Sequence, residues 1–210
     1  MSQSRYLEDG GLLEKLATEE GKKNVLLIGD SIRMGYCGTV KAELADVANV
    51  FYPEENCRCT QYVMISLLNW SGLCDPEKVD LVLFNCGHWD VAHWNGEDVS
   101  LTSKEVYADN IRRIVWQIQK LFPKAHIIFA TTTPMNPNGQ IGVNPRTTAE
   151  IQAYNKAAIE TLEGTDTEIA DLFAITENWD ESQYADYCHF TEAGFQNLGK
   201  IVAGFIRERL

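Results

Sequence analysis

Asn24-Val25-Leu26-Leu27-Ile28-Gly29-Asp30-Ser31 is the stretch whose reading decides the fold. Val25 to Ile28 are branched and apolar with no polar alternation, the pattern of a strand buried on both faces. Gly29 then permits a tight strand-to-helix turn, and Asp30 and Ser31 are residue types that favour a helix start. The rest of the chain repeats this alternation. Further strands are predicted at Val47–Tyr52, Val79–Asn85, His126–Thr131 and Glu168–Leu172, after the first at Asn24–Ile28. Helical spacing fills the intervals at Gly35–Ala45, Thr60–Trp70, Ser103–Leu121 and Pro145–Glu163, and Glu192–Arg209 follows the last strand.

Parallel neighbours need crossover connections, and helices supply them. The alternation therefore predicts an α/β, three-layer, flavodoxin-like parallel sheet with helices on both faces. Residues 4–20 are expected to add a helix ahead of the first strand, with Tyr6, Leu13 and either Leu16 or Leu12 on its apolar side. The longest irregular stretch, Thr132–Asn144, is rich in Pro, Asn and Gly, and a loop of that length is often part of a binding site or lid.

A chain of 210 residues, 45% apolar and 23% charged, is expected to form one globular domain over 1–210. The formal charge of -12 and the lack of a basic run argue against nucleic acid or an anionic membrane as partner. No apolar stretch is long enough to cross a bilayer, and the N-terminal residues lack the apolar core of a secretion signal, so a cytoplasmic location is expected. Cys37, Cys57, Cys59, Cys74, Cys86 and Cys188 are not set in C-x-x-C pairs, which points to reduced thiols rather than a zinc ribbon. His88, His93, His126 and His189 show no metal-ligand spacing, so neither metal nor cofactor is expected.

In an open α/β sheet, ligands sit at the carboxyl ends of the strands. Ser31 follows the first strand there, with its hydroxyl and backbone N–H able to face the crevice. A helix cap would explain Gly-Asp-Ser equally well, and the tripeptide has a chance of about one in twenty by average residue usage. The segment Asp186-Tyr187-Cys188-His189-Phe190-Thr191 alters that balance. A serine nucleophile needs a base, and the imidazole needs an acceptor on its other nitrogen. Asp186 three residues before His189 lets one loop deliver both, ahead of a helix capped by Thr191 with Gly194 just inside.

These two blocks, in this order and context, resemble the SGNH (GDSL-type) serine hydrolases, and the match runs from Lys22 to Leu210. The resemblance implies a five-stranded sheet of order 2-1-3-4-5 and metal-free ester hydrolysis. It makes Ser31 the nucleophile and an oxyanion donor through its N–H, His189 the general base, and Asp186 the partner of His189.

The middle blocks depart from the family pattern. Where the family has Gly-x-Asn-Asp, this chain reads Gly87-His88-Trp89-Asp90, with Trp in place of the oxyanion-binding Asn. The loop after the second strand, Pro53-Glu54-Glu55-Asn56-Cys57-Arg58, lacks the family's glycine. Similar stretches resemble those of a bacterial branch of the family. The missing donor then falls to Asn56 or Asn85, with Asn56 preferred because a post-strand loop can swing its amide over the serine. Arg58 can orient a substrate hydroxyl or carboxylate or pair with Glu54 or Glu55; His88, Trp89 and Trp94 suit stacking on a sugar ring or burial against the sheet.

The expected function is hydrolysis of a short-chain ester, acetyl first, on a carbohydrate or similar polar alcohol, with that small-molecule ester as the expected partner and the oligomeric state left open. A catalytically impaired carbohydrate-binding domain is the alternative that the altered middle blocks raise. A phosphate binder at the Gly29-Asp30-Ser31 turn is disfavoured, because no Gly-x-x-x-x-Gly-Lys loop is present and Asp30 adds negative charge there.

Overall fold

A computed structural model describes residues 16, 18–139 and 142–210. Its frame is a parallel sheet of β1 (Lys23–Ile28), β2 (Ala48–Phe51), β3 (Leu81–Phe84), β4 (His126–Ala130) and β5 (Thr167–Ala170) in the order β2-β1-β3-β4-β5. In register, Leu26 lies beside Phe51 on one side and Val82 on the other. The α/β architecture and the strand order match the sequence reading. The helix expected over 4–20 falls almost wholly outside the described residues.

The helices are α1 (Ser31–Glu43), α2 (Thr60–Trp70), α3 (His88–Val91), α4 (Lys104–Leu121), α5 (Thr148–Leu162), α6 (Leu172–Thr176) and α7 (Glu192–Arg207). Strand residues of alternate parity bury opposite faces. Leu26, Ile28, Val82 and Phe84 pack with Val63 and Leu67 of α2, Ile111 and Ile114 of α4 and Ile151 of α5. Val25, Leu27, Leu81 and Leu83 pack with Tyr36 and Val40 of α1 and Leu198 and Val202 of α7. Each fully buried aliphatic side chain of this kind stabilises the fold by about 1.5–3 kcal/mol.

Three boundaries differ from the expected ones for local reasons. Leu172 opens α6 instead of ending β5, because the Asp171 carboxylate caps the Ala174 N–H at 3.1 Å. Val79 and Asp80 fall outside β3, after a 3-10 turn at Pro76–Lys78 that Asp75 caps. Helix α1 starts at Ser31 rather than Gly35, with Asp30 accepting the Ile32 N–H at 2.9 Å. Its first turn escapes a hydrophobic period because it buries a charged residue, Arg33.

Helices α1 and α7 lie unusually close. A Cβ at Gly199 would sit 2.6 Å from the Thr39 Cβ, and one at Gly35 would sit 2.3 Å from the Phe195 ring. A side chain at Gly35 would displace the Phe195 ring, and one at Gly199 would press on Thr39 and, at 3.1 Å, on the Tyr36 carbonyl. Ser31 is the first residue of α1 and His189 precedes α7, so this contact sets how the two approach.

Candidate active site

Ser31 is half-buried at the carboxyl end of β1, in the first turn of α1, where backbone N–H groups lack intrahelical partners. Its Oγ lies 2.7 Å from His189 Nε2. His189 Nδ1 lies 2.7 Å from Asp186 Oδ2. With Nδ1–H directed at the carboxylate, Nε2 is free to accept the serine proton.

The turn bearing Asp186 and His189 is fixed by its own backbone. Asp186 Oδ1 accepts the N–H groups of Cys188 at 2.8 Å and His189 at 2.7 Å. The Ala185 N–H donates to the His189 carbonyl at 2.8 Å, below an antiparallel bridge of Tyr184 with Phe190. Partial burial pushes the Asp186 carboxyl up, but the Cys188 and His189 N–H groups and the imidazole outweigh it and leave the group below its usual range. Thr191 caps α7 through the Gly194 N–H at 3.1 Å, as its position in the sequence predicts.

The loop from 132 to 147 buttresses this turn. Asn136 donates its N–H to the Tyr187 carbonyl at 2.9 Å and its Nδ2 to the Asp186 carbonyl at 3.1 Å. Arg146 reaches across with Nη2 3.3 Å from Cys188 Sγ, Nε donating to His88 Nδ1 at 3.1 Å, and its guanidinium 5.4 Å from the Tyr187 ring centre. The irregular stretch noted in the sequence thus works as a brace on the Asp186–His189 turn.

The two candidate amides are placed very differently. Asn85 is buried at the end of β3, and its Nδ2 donates to the Ala130 carbonyl at 2.8 Å. Asn56 lies half-buried in the loop after β2, with Oδ1 accepting the Arg58 N–H at 2.8 Å. That loop is bound to the serine turn, because the Cys57 N–H donates to the Gly29 carbonyl at 3.1 Å. Arg33 holds it from beneath, donating to the carbonyls of Pro53 at 2.9 Å, Glu55 at 2.6 Å and Gly29 at 3.2 Å.

His88 does not offer a ring for stacking. It is 2% exposed, with Nδ1 accepting from Arg146 and Nε2 3.2 Å from Thr133 Oγ1. Burial, with the nearby Arg146 and His189 charges, holds its pKa well below the usual histidine value, so it is a neutral internal link. Trp89 and Trp94 remain half-exposed and pack on each other at 4.7 Å between ring centres, with Trp94 Nε1 donating to the Trp89 carbonyl at 3.2 Å. Arg58 is exposed and overlies the Tyr62 ring at 4.6 Å and the Trp89 ring at 6.0 Å. It makes no ion pair with Glu54 or Glu55; Glu55 instead binds the Tyr62 hydroxyl and, at 3.0 Å, the Trp70 indole N–H.

Several residues escape sequence reasoning because their signal is tertiary. Asp90 is fully buried and caps α2 from the short helix α3, accepting the Thr60 N–H at 3.1 Å and the Thr60 hydroxyl at 2.6 Å. Gly87 before it has φ +156°, and a Cβ there would lie 2.0 Å from Thr132 Oγ1. Asp30 is buried with Oδ2 unpartnered, and desolvation raises its pKa against the opposing Ile32 N–H and the Arg146, His189 and Arg33 charges. Asp186, Cys188 and His189 could offer atoms to a metal, lying within 4.8 Å of one another. Burial pushes the Cys188 thiol up to about 12.

A model of the GDSL-like lipase/acylhydrolase family matches residues 27–196, from the end of β1 into α7. The chain belongs to that family. As an acylhydrolase of this kind it is a serine ester hydrolase. A lipase/acylhydrolase from Enterococcus faecalis superposes with a TM-score of 0.70 at 21% identity, over 90% of this chain and 97% of the other. An acetylxylan esterase from Geobacillus stearothermophilus gives 0.67 at 20%, over 91% and 96%. A GDSL-like lipase from Bacteroides thetaiotaomicron gives 0.67 at 15%, over 93% of each chain. At such identities the likeness concerns the fold. No curated protein matches the acylhydrolase.

Proposed function

We propose that this acylhydrolase removes a short acyl group, acetyl first, from a carbohydrate or similar small polar alcohol, using Ser31, His189 and Asp186 as its triad. The observation that carries the proposal is the unbroken chain from Ser31 Oγ to His189 Nε2 at 2.7 Å and from His189 Nδ1 to Asp186 Oδ2 at 2.7 Å. His189 takes the Ser31 proton as Oγ attacks the ester carbonyl. The oxyanion is met by the Ser31 N–H and the Asn56 amide, whose Nδ2 stays available while Oδ1 is occupied by Arg58. Asn85 is the weaker donor, since its amide is engaged with Ala130. The imidazolium then protonates the leaving alkoxide, and a water activated by the same base releases the acyl group from Ser31.

A polyol is favoured by the half-exposed Trp89–Trp94 pair, and an acetyl group by the polar character of the 132–147 loop. The acetylxylan esterase among the similar folds acts on a substrate of that kind. Six free thiols fit a cytoplasmic setting. One observation favours an impaired binding domain instead, namely Trp89 at the position where the family has Asn.

The deciding experiment is p-nitrophenyl acetate hydrolysis by wild type, Ser31→Ala and His189→Ala, with fluorophosphonate labelling read by mass spectrometry. Turnover should fall by at least about 10³-fold in both variants, with the label on Ser31. A wild type that neither labels nor turns over any acetyl ester would leave the binding domain as the reading.

A further inference from the structure

Arg58 is a cation prepared for a ligand that the fold does not supply. Its backbone is held in the left-handed region, at φ 53°, by the bond from its N–H to Asn56 Oδ1 at 2.8 Å. Its guanidinium rests on the Tyr62 ring at 4.6 Å and the Trp89 ring at 6.0 Å. Tyr62 gives its hydroxyl proton to Glu55, so that carboxylate faces the phenol and not the guanidinium. Among the described residues, no acceptor hydrogen-bonds the five N–H groups of Arg58. Elsewhere Arg112, Arg207 and Arg209 each sit on a carboxylate, and among the described residues exposed Arg113 has neither an ion pair nor an aromatic ring of the kind that holds Arg58.

Resting on the esterase reading above, we propose that the substrate carries a carboxylate on its alcohol part, as an acylated uronic acid does, and that Arg58 receives it. The anchoring Cys57–Gly29 bond keeps Arg58 within the loop that borders Ser31. The esterase reading sets the alcohol part against the Trp89–Trp94 pair, and Arg58 lies 6.0 Å from the Trp89 ring, so the charge is placed on that part. A planar carboxylate matches the guanidinium fork, and rings holding that fork reduce the entropy lost on binding. A dianionic phosphate would meet twice the repulsion from a protein of net charge -12.

The test compares 3-acetoxybenzoate with its neutral isostere 3-acetoxybenzamide, each kcat/KM divided by its uncatalysed rate. The ratio of acid to amide is the readout, so a general loss of activity in a variant does not move it. Wild type should favour the acid by about tenfold, Arg58→Gln should bring the ratio to about one, and Arg58→Lys should fall between. Raising salt should shrink the wild-type preference. A wild-type ratio of about one, or a preference that survives Arg58→Gln, overturns the proposal. If neither ester is turned over, the esterase reading is what fails. Calorimetry on Ser31→Ala then decides Arg58 separately, with tighter binding of the acid expected and equal binding of acid and amide overturning it.

Discussion

Asp186 does two jobs with its two oxygens, one holding the turn and one holding the imidazole. Asp186→Asn keeps an acceptor for the backbone but presents a donor or a weaker acceptor to Nδ1. It is expected to lower kcat by about 10²–10⁴ while leaving the thermal midpoint within a few degrees of wild type. Asp186→Ala should lower both, since the Cys188 and His189 N–H groups lose their partner; kinetics beside calorimetry separates the two effects. The Asp-x-x-His spacing and the strand-Gly-Asp-Ser run were legible because each is local. Arg146 was not, since its partners His88 and Cys188 lie 58 and 42 residues away in the chain. For His88 the sequence leaves stacking and burial open, because nothing in its neighbours shows that both nitrogens are engaged.

At the scale of elements, the geometry between serine and histidine rests on how closely α1 meets α7. Gly199→Val would press against Thr39 and the Tyr36 carbonyl and force the helices apart. The expected result is a loss of about 1–3 kcal/mol in stability and of about 10- to 100-fold in kcat, with KM less affected. Gly204→Ala on the same helix meets nothing within 4 Å and should be neutral or stabilising by up to about 1 kcal/mol. Urea denaturation and steady-state kinetics on the pair check both statements. Element existence was readable from apolar periodicity almost throughout, with Thr60–Trp70 recovered residue for residue. Boundaries slipped where a cap overrode the pattern, as Asp171 does at α6 and Asp30 with buried Arg33 does at α1.

For the whole molecule, buried Asp90 and half-exposed Glu168 contribute to the pH response of stability with opposite signs. Burial pushes Asp90 up to about 6, with the Thr60 bonds only partly offsetting it, whereas an unfolded Asp titrates at about 3.9. Between those values the folded protein holds a proton that the unfolded chain has released, so stability falls as pH rises from about 4 to about 6. Glu168 acts in the opposite sense. The bond from Arg209 holds it near 2, giving a contribution present above about 4.5 and lost as pH falls toward 2. Asp90→Asn should flatten the fall between about 4 and 6 by about 2 kcal/mol, as read from urea unfolding across that range. The order of the sheet was legible through family resemblance, but which charges it would bury was not. Ser31 and His189 are 158 positions apart, and the first is in place long before the second is made. If Ser31 and His189 act as proposed, a ribosome-bound chain that has completed only its early strands carries a nucleophile with no base to wake it. On that reading the hydrolase stays chemically silent during its own synthesis, and after dilution from denaturant its turnover should return no earlier than the native fold.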